Sequence, residues 1–152
     1  MMDLLNPASA DQIFDALYSP NNSLEQMSNQ ALSNGIDLYM KESYEDAVKD
    51  FRRSIGLAGN SEYCASATQY LAQTYLKLED TDEAVKAYEL GIKSNPNDPE
   101  LQMSLGNLLF SEERYEEAEV AYEAAVRLDD SAGSRFALGQ VFLKTNRLRE
   151  AE

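Results

Sequence analysis

The chain has 152 residues, 43% of them hydrophobic, enough for one ordinary domain with a buried core. Its 27 acidic residues against 13 basic ones leave a net charge of -14, and no base precedes Lys41, a balance that repels phosphate backbones and anionic lipid heads. A single cysteine, Cys64, excludes an intrachain disulfide, and the lack of histidine excludes His-based triads and histidine metal sites.

At the N-terminus, "MMDLLNPASADQIFDALY" lacks the basic n-region and long apolar run of a signal peptide. No run of eighteen apolar residues occurs, so the expectation is a soluble protein of a reducing, cytoplasmic compartment. Ser9 and Gln12 form a capping-box pattern that predicts a short amphipathic helix near residues 10–18, with Ile13, Phe14 and Leu17 on one face. This extension covers residues 1–22, and "SPNN" at 19–22 predicts a break. Ser23 with Gln26 then predicts the cap of the next helix.

From there one pattern recurs. Gly35, Ala72, Gly106 and Gly139 are spaced 37, 34 and 33 positions apart. Each is followed nine positions on by Tyr44, Thr81, Tyr115 or Leu148, and twelve on by Ala47, Ala84, Ala118 or Ala151. Phe51, Tyr88 and Tyr122 come four further. Self-similarity at this period means stacked two-helix units. In the second helix, Ala47, Phe51, Ser54 and Ile55 keep the spacing of one buried stripe. Its outer face predicts ion pairs of acid first and base four later, as in Glu45–Lys49 and Asp82–Lys86. Small residues at both reference positions let the paired helices approach closely. Asp98 before Pro99 predicts a capped start, Asp80 with Glu83 another, and "NPND" at 95–98 separates units. The longer first interval predicts three extra residues near 60–64, as a longer loop or a longer leading helix.

This arrangement resembles the tetratricopeptide repeat, a helix–turn–helix unit of 34 residues. The resemblance covers about residues 28–152, in units near 28–61, 65–98, 99–131 and a shortened 132–152, within an array taken to run over 23–152. It implies an all-α, right-handed α-solenoid of three complete units and one truncated one. The tryptophan common early in the family's unit is replaced by Ala31, Thr68, Gln102 and Arg135, and Asn34 stands where leucine is usual.

Catalytic patterns are missing. Neither GxxxxGK nor GxGxxG occurs, the carboxylates of "SEERYEEAE" read as a solvated helix face, and "DTDEA" at 80–84 lacks the glycine and further ligands of a calcium loop. The expectation is a non-enzymatic protein with no cofactor and no metal. A second stripe on each leading helix, offset by one residue from the packed one, carries the useful signal. In proteins this sequence resembles, that stripe lines a concave face where peptides lie. The candidate partner-binding residues are Leu32, Ile36, Tyr39, Gln69, Tyr70, Gln73, Met103, Asn107, Phe110, Phe136, Gln140 and Leu143. The expected function is an adaptor or scaffold holding a peptide or amphipathic helix of a partner protein. Alternatives are a secretion-type chaperone holding an export substrate, or the non-catalytic front end of a larger repeat-containing protein. Apolar residues around the fourth leading helix further predict self-association through that end or through the N-terminal helix.

Overall fold

In the computed structural model, residues 20–59 and 61–146 are described, and they form seven α-helices with no strand among them. These are α1 (Pro20–Met40), α2 (Tyr44–Ala58), α3 (Glu62–Lys77), α4 (Thr81–Ser94), α5 (Pro99–Ser111), α6 (Tyr115–Leu128) and α7 (Ala132–Lys144). Leading helices α1, α3, α5 and α7 alternate with trailing helices α2, α4 and α6, in an all-α helical-repeat solenoid. Each helix packs mainly on its neighbours in sequence, and α1 also touches α3. The short helix expected near residues 10–18 lies outside the described residues.

Close approach explains why small residues recur. A Cβ on Gly35 would lie 2.6 Å from Cε1 of Phe51, and one on Gly106 would lie 2.5 Å from Cδ1 of Tyr122. Real Cβ atoms do not come so near, so each glycine lets a trailing-helix ring lie flat on the leading helix. Further along the same interface, Ser28 and Ser54 are both buried and satisfy one another. The Ser54 hydroxyl donates to the Ser28 carbonyl at 2.9 Å, and the Ser28 hydroxyl donates to the Ser54 carbonyl at 3.0 Å. A buried hydroxyl without such a partner would be costly.

The turn inside each unit is equally regular. Glu42, Glu79, Glu113 and Asn146 adopt left-handed backbone at φ between 58° and 60°, each seven positions after its reference small residue. The next amide closes a wide turn: Ser43 N–H donates to Leu38, Asp80 to Tyr75 and Arg114 to Leu109. This satisfies carbonyls left open at the helix end.

Caps follow the sequence in two places and depart from it in one. Asp98 accepts from the Glu100 amide at 2.9 Å and Asp80 from the Glu83 amide at 3.1 Å. Helix α1, however, begins at Pro20, so "SPNN" does not break the chain there and Ser23 is not a cap. Proline suits a first helical turn, where its missing N–H would have no partner anyway. A reciprocal cap between Ser131 and Ser134 opens α7; serine at both positions falls outside the usual pairing with an acid or amide. The three extra residues lengthen a helix: α3 has 16 residues where α5 and α7 have 13. The surface ion pairs also shift register, Lys49 joining Asp46 at 2.9 Å and Lys86 joining Glu83 at 2.6 Å. Being exposed, they add little.

The buried side chains form two clusters. One gathers Leu32, Phe51, Ile55, Leu71 and their neighbours from α1 to α4. The other gathers Val85, Leu105, Tyr122 and Val141 from α4 to α7. Tyr88 and Leu108 pack against both and join them.

Candidate functional site

The twelve candidate residues lie on the leading helices, but with graded exposure. On α1, Leu32 is only 7% exposed and belongs to the first core cluster, so it is withdrawn from any ligand; Ile36 and Tyr39 are half-buried against the same cluster. On α3, Gln69 and Tyr70 are half-buried and Gln73 is exposed. On α5, Met103 and Phe110 are half-buried against the second cluster and Asn107 is exposed. On α7, Phe136, Gln140 and Leu143 are all exposed, the phenylalanine at 68%. Part of the gradient has a simple cause: α1 is covered by α3 as well as α2, whereas no described helix follows α7.

Several of these side chains are held in place by their neighbours. Tyr70 stacks on Phe51 with ring centroids 5.5 Å apart, and Tyr39 meets it edge-on at 6.0 Å. Tyr39 also packs edge-on against Tyr44, and Phe110 stands in the same relation to Tyr115 at 5.3 Å. The two rings thus occupy one register, each resting on the first residue of the trailing helix. Such aromatic pairs contribute about 0.5–1.5 kcal/mol beyond their burial.

The amides form the second component. Gln73, Asn107 and Gln140 each come one position after the reference small residue and are exposed on successive leading helices. The Tyr122 hydroxyl donates to Asn107 Oδ1 at 2.8 Å. With its oxygen engaged, the Asn107 amide keeps its N–H donors for a ligand. Burial pushes the Tyr122 hydroxyl above the usual tyrosine range. Burial does the same to Tyr88, partly offset by a hydrogen bond with Ser104. Both rings therefore act as neutral groups near pH 7.

Hollows among the described residues lie on and beside this surface. One of about 210 Å³ lies among Glu100 and Met103 of α5, Asp129, and Gly133 and Ser134 of α7, with Met103 the candidate residue that lines it. A second, of about 470 Å³, opens on α7 around Phe136, Gly139, Gln140 and Leu143. The third, of about 310 Å³, involves trailing helices and has no counterpart among the candidates: Arg52, Lys86 and Lys93 line it with Glu83 and Glu89. Arg52 there donates to the Tyr75 hydroxyl at 3.3 Å. Its signal in the sequence was the run of bases on the outer faces of α2 and α4. Among the described residues no group of three or more acids and cysteines could hold a metal ion. What the surface offers is apolar rings and neutral amide donors, which are contacts for binding.

Comparison with known proteins agrees with the fold. The tetratricopeptide repeat family model matches residues 32–99, 70–133 and 105–152. Tetratricopeptide repeat protein 21B of Mus musculus is 28% identical over 82 residues; these are 54% of this chain but 6% of that protein. Among solved structures, MamA superposes with a TM-score of 0.63 at 17% identity, covering 99% of this chain and 90% of MamA. The first TPR of Spaghetti (RPAP3), bound to the HSP90 peptide SRMEEVD, superposes with a TM-score of 0.60 at 15% identity over 80% of this chain and 95% of that one.

Proposed function

Since the chain belongs to the tetratricopeptide repeat family, we propose that it is a non-enzymatic adaptor whose leading helices bind a peptide or amphipathic helix of another protein. The observation that carries this is the row of exposed amides, Gln73, Asn107 and Gln140, set at one register beside half-buried Met103 and Phe110. Amide donors would bond to backbone carbonyls of the ligand, and the apolar side chains would bury its anchors. Stacked repeats hold these groups before the ligand arrives, which lowers the ordering cost of binding. The peptide bound by the RPAP3 repeat supports a partner of this general kind.

Panning a peptide-display library against the chain tests the proposal. Selected peptides should lose at least tenfold in affinity to Asn107→Ala and to Phe110→Ala, with circular dichroism unchanged. Peptides that bind both variants as tightly as the parent would place the site elsewhere.

A further inference from the structure

The trailing helices differ between units by an exchange of two neighbouring residues. Units one and two read Ala47-Val48-Lys49 and Ala84-Val85-Lys86, whereas unit three reads Ala118-Glu119-Val120. Val48 is half-buried, Val85 is buried, and both lysines are exposed. In α6 the valine has moved to the lysine position, where Val120 is 64% exposed. The exposure belongs to the position itself, because Lys49 and Lys86 are exposed there although a further trailing helix follows α2 and α4. Packing within the array therefore gives no reason for an apolar residue at this point. Val120 stands between Glu116, one turn before it, and Glu123, one turn after, and among the described residues neither acid forms an ion pair. Nearby Glu117 is held by Arg114 at 2.6 Å, and Arg127 is the one base of α6.

The complement of this acid-flanked knob lies on the same side of the array. The hollow of about 310 Å³ has Leu71, Ala87 and Leu90 in its apolar lining and Arg52, Lys86 and Lys93 as its bases. Its two acids are Glu83, paired with Lys86 at 2.6 Å, and Glu89, whose charge also acts on Arg114. Arg52 donates to the Tyr75 hydroxyl, and among the described residues neither Arg52 nor Lys93 forms an ion pair. The repeat register relates the two features. Lys86 and Val120 each stand fourteen positions after their reference small residue, so the rim of the hollow and the knob face the same way. Arg52, Glu89 and Glu123 each stand seventeen positions after theirs, so a base at the hollow matches an acid at the knob.

We propose that Val120, with Glu116 and Glu123, docks in this hollow on a second copy of the chain, and that each copy receives the other's knob in return. Knob and hollow lie on one face, so a two-fold axis between them satisfies both contacts at once and closes a dimer. Two chains of net charge -14 repel one another over most of their surface. Contact is favoured where unpaired bases of one copy meet unpaired acids of the other, which also fixes the register. A second copy is selected as the occupant because the hollow's complement, apolar between two acids, is already present and uncovered on the same chain. A short flexible peptide would make one such contact and would have to be ordered first, whereas the dimer makes two between preformed helices. The inference does not rest on the peptide-binding reading above.

Sedimentation equilibrium of the full chain over a concentration series tests the proposal, at about 0.15 M salt so that charges act only over about 8 Å. Val120→Lys installs the residue of the two earlier units, and Arg52→Glu installs that of the two later ones, so both folds should persist, which circular dichroism checks. The parent should pass from monomer to dimer and stop there, and each variant should associate at least about tenfold more weakly. For Val120→Lys this loss runs against the lowered net charge, which by itself would ease association. An equimolar mixture of the two variants should dimerise more strongly than either alone, because one intact knob then meets one intact hollow. Lys144→Glu makes the same change of charge as Arg52→Glu, but on α7, and should associate as the parent does. The proposal fails if the parent stays monomeric to millimolar concentration, if its mass climbs past the dimer, or if either variant dimerises like the parent. It fails also if the mixture gains nothing, or if Lys144→Glu weakens association as much as Arg52→Glu.

Discussion

Replacing Gly106 by alanine tests the packing logic of the array, because the same substitution at Gly139 should have the opposite sign. Alanine in a helix interior is favoured over glycine by about 1 kcal/mol. At position 106 the new Cβ would lie 2.5 Å from both Cδ1 and Cε1 of Tyr122 and 3.1 Å from Cζ. That ring is buried and its hydroxyl is tied to Asn107, so it cannot swing clear without losing a bond. Overpacking costs about 1–3 kcal/mol, and a lost hydrogen bond about 0.5–1.5 kcal/mol more. Gly106→Ala should therefore destabilise by about 0.5–3.5 kcal/mol net, once helix propensity is offset. At position 139 nothing lies within 4 Å, so Gly139→Ala should stabilise by about 0.5–1 kcal/mol. Urea unfolding followed by circular dichroism at micromolar protein, read as the midpoint shift, measures both. Ala72 holds this register in the second unit, so an alanine can be accepted where the helix pair is built for it. If Gly106→Ala proves as stable as the parent, or Gly139→Ala less stable, close glycine–ring contact is not what sets the helix spacing.

Tyr122→Ala should cost about 3–5 kcal/mol, as for a fully buried aromatic, and Phe110→Ala distinctly less, because Phe110 is only half-buried; thermal unfolding of both, with equal losses, would remove Phe110 from the candidate surface. The peptide SRMEEVD should show no binding by calorimetry, since the candidate surface of Gln73, Met103, Asn107 and Phe110 offers no base to its carboxylates and Glu100, beside Met103, would repel them; a micromolar affinity would overturn this. Cys64 is buried, its thiol is raised by that burial, and Sγ donates weakly to the Gly91 carbonyl at 3.6 Å. Its reaction with a disulfide reagent should therefore wait on unfolding and match the unfolding rate, whereas fast labelling of the native chain would contradict the burial.

The repeat was legible in the sequence because its determinants are local or strictly periodic. A stripe at helical spacing, a capping aspartate and a small residue every 33–37 positions are visible without knowing what they touch. They were enough for an all-α repeat solenoid and for the helix faces that pack. Exposure along the second stripe was not legible, since it depends on neighbours far away in sequence. Leu32 is buried because Phe51 and Ala67 pack in the same cluster, and Tyr70 is held because Phe51 lies under it. Asn107 is oriented by Tyr122, fifteen residues on. The same dependence governs glycine: Gly106 and Gly139 are equivalent as letters, yet one is pressed against a ring and the other faces open space. Periodicity states which side of a helix is apolar; only the assembled stack decides whether that side is covered.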